Sequence, residues 1–107
     1  MAYTIAVVAL ILDHQAAAAA INEPADYFDN DQNDRYDGVE RLQQLTGADI
    51  EAFSYEDGDI YYVGIQIESE FYMPIDAALL NKALAVKQAN SHPLVQSATL
   101  AVVGDFN

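Results

Sequence analysis

Cysteine is absent from the 107 residues of this chain. Its absence excludes disulfide bonds, thiolate catalysis and cysteine-based zinc sites, and it leaves the redox compartment open. Glycine is also scarce, with only five residues, and none of them belongs to a glycine-rich loop of the kind that cradles a phosphate group. The available chemistry is therefore that of oxygen and nitrogen side chains, and no cofactor is predicted.

Basic side chains are the second shortage. Four lysines and arginines face 17 aspartates and glutamates, which gives a formal net charge of -13. Such a chain repels nucleic acid phosphates and anionic lipids, so direct binding to nucleic acid or to a membrane is not expected. Three explanations of the acidity remain open: a surface that limits self-association, adaptation to high salt, and a face that docks on a basic protein surface.

The most apolar segment, residues 3–12, could be mistaken for a signal peptide because it lies near the first residue. No basic residue precedes it, and Asp13 and His14 follow it directly. It is also too short to cross a bilayer as a helix, which needs about 20 residues. We therefore expect a cytoplasmic protein, either of a cell or of a virus inside its host cell.

The composition predicts one domain over residues 1–107, since apolar residues make up 52% of the chain and can form a single modest core. The run YTIAVVALIL is apolar at both sets of alternate positions, which is typical of a central strand covered on both faces. Asp13 is expected to cap a short alanine-rich helix, HQAAAAAINE, and Pro24 is expected to end it.

Two further helices are predicted. The first covers DGVERLQQLTG, with Asp37 and Glu40 as a capping pair and Gly47 as the residue after its C-terminus. The second starts at Pro74, and after Pro93 the run LVQSATLAVVGDF is expected to form the last strand. The predicted apolar stripes are Val39, Leu42 and Leu45 on the first helix, and Ile75, Leu79, Ala83 and Val86 on the second.

Asp57-Gly58 is the strongest local signal, because this dipeptide favours a type I′ turn between two strands. A two-residue loop at this point fixes the register of the hairpin. The register places apolar side chains on one face and a mixed set on the other, so the turn and the pattern agree. The predicted pairs are Tyr55–Ile60, Ser54–Tyr61, Phe53–Tyr62, Ala52–Val63, Glu51–Gly64 and Ile50–Ile65.

The resulting order β-α-β-β-α-β predicts a ferredoxin-like plait. This α+β fold has a four-stranded antiparallel sheet with the first and third strands at its centre and helices on one face. Here an acidic loop splits the first crossover helix in two.

The second face of such a sheet would carry Phe53, Tyr62 and one set of alternate residues from the first strand. That set is either Ile5, Val7, Ala9 and Ile11 or Ala6, Val8, Leu10 and Leu12. An apolar patch of this size marks an interaction site, so a homodimer is expected to cover it.

The stretch DNDQNDRYDGVE, residues 29–40, has oxygen side chains at the spacing of an EF-hand calcium loop. The ligands would be Asp29, Asp31, Asn33, Asp37 and Glu40. The sixth position of such a loop is a glycine that allows a sharp turn, but here it is Asp34. A weak calcium site is therefore an alternative to a flexible acidic loop that ends in a helix cap.

We favour a non-enzymatic interaction protein whose acidic surface occupies a basic cleft on a partner protein. A row of carboxylates can imitate the spaced phosphates of a nucleic acid, and in composition alone the chain is similar to small acidic phage inhibitors of restriction or CRISPR systems. Partner-binding residues are expected among the acidic and aromatic side chains of the loop and the hairpin. They are Asp29, Asp31, Asp34, Asp37, Glu51, Phe53, Tyr55, Asp57, Asp59, Tyr62 and Glu68.

The alternative from a different class is a small dimeric ferredoxin-like enzyme or small-molecule-binding module. Its pocket would lie between the sheet and the helices, with His14 or His92 as its polar group. Such a protein should have an enclosed cavity that contains a titratable side chain with a perturbed pKa, whereas a cleft-blocking protein should not.

Overall fold

The computed structural model describes residues 5–30, 32–55, 60–68 and 77–105, which form an α+β fold with a four-stranded antiparallel open sheet and helices. The strands are β1 (Ile5–Ile11), β2 (Glu51–Tyr55), β3 (Ile60–Glu68) and β4 (Thr99–Asp105). The helices are α1 (His14–Ala20), α2 (Arg35–Thr46), α3 (Ala77–Gln88) and α4 (Pro93–Gln96), with a 3-10 turn at Tyr27–Asp29. Within these ranges no helix has the length and apolar character needed to cross a membrane.

The sheet has the order β2-β3-β1-β4, so the first and third strands are central, as predicted. Strand β1 is antiparallel to both of its neighbours, and its register with β3 shifts between Val8 and Ala9. Val7, Val8 and Ala9 are all 0% exposed. The run of apolar residues at both sets of alternate positions therefore corresponds to a strand that is covered on both faces.

The register of the hairpin is confirmed for the five pairs from Glu51–Gly64 to Tyr55–Ile60. Ile50 precedes the first residue of β2 and is fully buried. The predicted turn at Asp57-Gly58 lies outside the described residues. The expected two-residue loop and the alternation of the two strands together predicted how they pair.

Each face of the sheet has its own apolar cluster. On one face, helical side chains such as Leu42 and Val95 pack with strand residues Leu10, Val63 and other members of the larger core. On the other face, Val7, Ala9 and Val103 are buried, and the partly buried residues packed against them are Ile11, Phe53, Tyr62 and Ala101. Val7, Ala9 and Ile11 of the odd-numbered set therefore lie on this second face.

Helix α1 begins as predicted, because the Asp13 carboxylate accepts a hydrogen bond from the backbone N–H of Gln15 at 3.2 Å. It ends at Ala20, however, and not at Pro24. Asn22 has a φ of 60°, a left-handed conformation that asparagine tolerates better than most residues, and this turns the chain before the proline is reached.

Helix α2 begins one turn earlier than predicted, and Asp34 is its N-cap. The Asp34 carboxylate accepts from the backbone N–H of Asp37 at 3.1 Å, so the predicted capping role of Asp37 and Glu40 was wrong. At the other end, the prediction for Gly47 is confirmed: its φ is 72°, and its N–H donates to the Gln43 carbonyl at 2.8 Å.

The predicted stripe on α2 is only partly correct. Val39 and Leu42 are buried, whereas Leu45 is 48% exposed. Two successive steps of three residues turn the helix by about 120° away from its starting direction, since each residue turns it by about 100°. The spacing therefore moves Leu45 off the buried side.

We expect Asp34→Ala to lower the free energy of unfolding by about 1 kcal/mol, because the N–H of Asp37 would lose its acceptor. Urea denaturation followed by circular dichroism measures this loss. Asp26→Ala is a matched control, since Asp26 precedes the 3-10 turn but makes no side-chain capping bond. An equal loss in the two variants would contradict the capping role.

The C-terminal part of the chain differs from the prediction at residues 93–96. Pro93 occupies the first turn of α4, and His92 caps this helix, with its Nδ1 accepting from the Leu94 N–H at 3.1 Å. Leu94 and Val95 enter the core from this helical turn, so the last strand begins only at Thr99. On α3, Leu79 and Ala83 are buried and Val86 is partly buried, as expected, while Pro74 and Ile75 lie outside the described residues.

Candidate functional site

The acidic segment between α1 and α2 is anchored by two aromatic rings and is not a solvated loop throughout. Tyr27 and Phe28 are buried and meet edge to face, with 4.9 Å between their ring centroids. The Tyr27 hydroxyl donates to the backbone carbonyl of Asp34 at 2.6 Å, and the Asn33 amide donates to the Tyr27 carbonyl at 3.0 Å. The adjacent pair of aromatic residues was the sequence signal for this anchor.

Three of the predicted partner-binding acids in this segment already have internal contacts. Asp29 lies 2.7 Å from Nδ1 of His14, and Asp34 caps α2. Asp37 lies 3.2 Å from Nε of Arg41, one helical turn further on. Asp31 lies outside the described residues. These acids are exposed at the surface, but their first role is to hold the segment in place.

Arg41 is the centre of this arrangement. Its Nη2 donates to the Glu23 carboxylate at 2.9 Å, and its Nη1 donates to the backbone carbonyl of Ile21 at 3.2 Å. The hydrogen bond with Glu23 is the largest cause that raises the pKa of Arg41 above its ordinary value, followed by Tyr27. One arginine thus neutralises part of the acidic segment and connects it to the end of α1.

The geometry of the 29–40 stretch differs from that of an EF-hand loop. Helix α2 already starts at Arg35, the seventh position of the stretch, whose backbone carbonyl would have to bind the ion in an EF-hand loop. Asp29 and Asn33 make the contacts given above. Among the described residues, which do not include Asp31, no group of three or more histidine, aspartate or glutamate side chains is placed to hold a metal ion.

On the hairpin, Phe53 and Tyr62 are directly opposite each other and stack with 5.7 Å between centroids and an interplanar angle of 27°. Both belong to the cluster on the sheet face opposite the helices. The Glu68 carboxylate lies 3.2 Å from Nζ of Lys82. The backbone of Tyr55 pairs with that of Ile60, and Asp57 and Asp59 lie outside the described residues.

An open groove of about 570 Å3 lies between α2 and the edge strand β2. Its apolar residues are Val39, Ile50 and Ala52. The Gln43 amide donates to the Ile50 carbonyl at 2.7 Å and so joins the helix to the start of the strand. The groove is thus a gap between two elements that core packing and a hydrogen bond hold together.

The other residues of the groove are charged or aromatic. Tyr36, which is 74% exposed, lines it together with Glu40 and Glu51. An adjoining depression of about 300 Å3 shares Glu51 and adds Asp49. Among the described residues, Glu40, Asp49 and Glu51 make no ion pair. Glu40 on α2, and Asp49 and Glu51 at the start of β2, therefore have no ion-pair partner among the described residues, although Lys82, which pairs with Glu68, lines the same depression as Asp49 and Glu51.

Of the groove residues that face solvent, only Glu51 was among the predicted partner-binding residues. Sequence reasoning missed Tyr36, Glu40 and Asp49. The signal for part of this set was present, because Tyr36, Glu40 and Gln43 follow the i, i+4, i+7 spacing of one helix face. Nothing local indicated that this face would lie beside β2.

The two histidines do not line this groove or the other two open depressions described. His14 pairs with Asp29 and contacts the Phe28 ring, with 6.1 Å between centroids, while His92 caps α4. Both are thus placed in structural contacts. Comparison with known proteins gives no family model, no curated protein and no solved structure that matches this chain.

Proposed function

We propose that this protein is a non-enzymatic acidic interaction protein that occupies a basic cleft on a partner protein, in the manner of a phage-type inhibitor or nucleic-acid mimic. The observation that carries the proposal is the groove beside β2, which is lined by Glu40, Glu51 and the exposed ring of Tyr36, and whose two carboxylates make no ion pair with the described residues. Unneutralised carboxylates attract a basic surface, and an exposed aromatic ring supplies contact area.

The charge of the whole chain supports the same proposal. A net charge of -13 accelerates encounter with a basic partner and repels nucleic acid, so the protein would compete with nucleic acid for the cleft. Two of the described bases reduce the acidity locally, since Arg41 contacts Glu23 and Asp37 while Lys82 contacts Glu68. The carboxylates at the start of β2 remain available.

We further propose that the scaffold is a ferredoxin-like plait. The chain order β-α-β-β-α-β and the antiparallel order β2-β3-β1-β4, with β1 and β3 central, support this assignment. Helices α1 and α2 together would form the first crossover connection, divided by the anchored segment around Tyr27. This arrangement places α2 beside the edge strand and so creates the groove.

Capture of basic proteins tests the proposed function. The immobilised protein should retain a nucleic-acid-binding protein at low ionic strength and release it at high ionic strength, since salt screens the carboxylates. Added duplex DNA or RNA should displace the same protein, because both ligands would occupy one cleft. The proposal fails if no basic protein is retained at low ionic strength, or if nucleic acid and the acidic protein bind the captured partner together.

A homodimer through the sheet face opposite the helices is a separate part of the proposal. Val7 and Ala9 are already fully buried within one chain, while Ile11, Phe53 and Tyr62 are only partly buried and would form the contact. Light scattering should give twice the chain mass of 11.7 kDa. Phe53→Lys should halve this mass, whereas Leu84→Lys, at an exposed position on α3, should not. A monomeric wild-type protein would refute the dimer.

A further inference from the structure

We draw no further inference here: the strongest candidate, the surface patch of α3 at the half-exposed Leu80 and Leu84, in a helix that contains no acidic residue, carries nothing because nothing in the structure shows what covers it.

Discussion

Gly64→Ala should lower the free energy of unfolding by about 3 kcal/mol, a large fraction of the stability of a domain of this size. A Cβ at Gly64 would lie 2.2 Å from the backbone oxygen of Leu10 and 3.2 Å from Cα of Ile11. These atoms belong to β1, the most buried strand of the sheet, so they cannot move aside as the end of a flexible side chain can. The two central strands would have to separate.

The expected loss of stability comes from steric overlap of the added Cβ and not from the backbone conformation of Gly64. Of the glycines in the described part of the chain, only Gly47 has a positive φ. Gly64 faces Ile11 across the pairing of β1 and β3, close to the bond that the Leu12 N–H donates to the Val63 carbonyl at 2.9 Å. An alanine at Gly64 would therefore strain both the pairing and the neighbouring hydrogen bond.

Urea denaturation measures the effect, with Gln66→Ala as the control two residues further along the same strand. Gln66 is half-buried, and its replacement removes atoms without adding any near β1. We expect Gln66→Ala to cost less than Gly64→Ala by at least about 1 kcal/mol. Equal losses would show that β1 and β3 have more room at Gly64 than the 2.2 Å contact allows.

Gly38→Ala is the second change with a large expected effect, and its direction is opposite to that predicted from helix propensity. Alanine is favoured over glycine inside a helix by about 1 kcal/mol. In α2, however, a Cβ at this position would lie 2.5 Å from Cε2 of Tyr27 and 3.0 Å from Cε1 of Phe28. Both rings are buried, and the Tyr27 hydroxyl is bonded to the Asp34 carbonyl. We therefore expect a net loss of about 2 kcal/mol.

A double-mutant cycle isolates the contact. Tyr27→Ala alone should be strongly destabilising, because it removes a buried ring. In that background Gly38→Ala should cost much less, or stabilise the protein, since the closest clashing atoms are gone and the higher helix propensity of alanine remains. The unfolding free energies of the wild type, the two single variants and the double variant give the coupling free energy between positions 27 and 38. Additive effects would contradict the close packing of α2 on Tyr27.

Local sequence patterns determined the elements whose contacts are made between neighbours in the chain or across a tight hairpin. The register of β2 and β3 followed from a two-residue loop and from alternation, because a shift of one residue would move every apolar side chain to the wrong face. The Asp13 cap and the left-handed Gly47 followed in the same way, since each depends on a hydrogen bond within a few residues. The central position of β1 followed from its unbroken apolar run.

Only the tertiary structure decided the start of α2, the helical turn of α4 and the groove. Asp34 and Asp37 are both good caps by composition. The observed start of α2 accompanies the packing of Tyr27 on Gly38 and its hydrogen bond to the Asp34 carbonyl. Leu94 and Val95 are compatible with a strand or a helix until their positions over the core are known.

The groove depends on tertiary contacts in the same way. Its carboxylates and Tyr36 come from two elements that are held together by core packing of Val39 and Leu42 with Ile50 and by the Gln43–Ile50 hydrogen bond. The sequence by itself therefore determined a strongly acidic α+β chain with one well-defined hairpin. Packing decided which of its acids remain unpaired and lie beside a sheet edge. These positions depend on contacts between distant residues, which no sequence periodicity encodes.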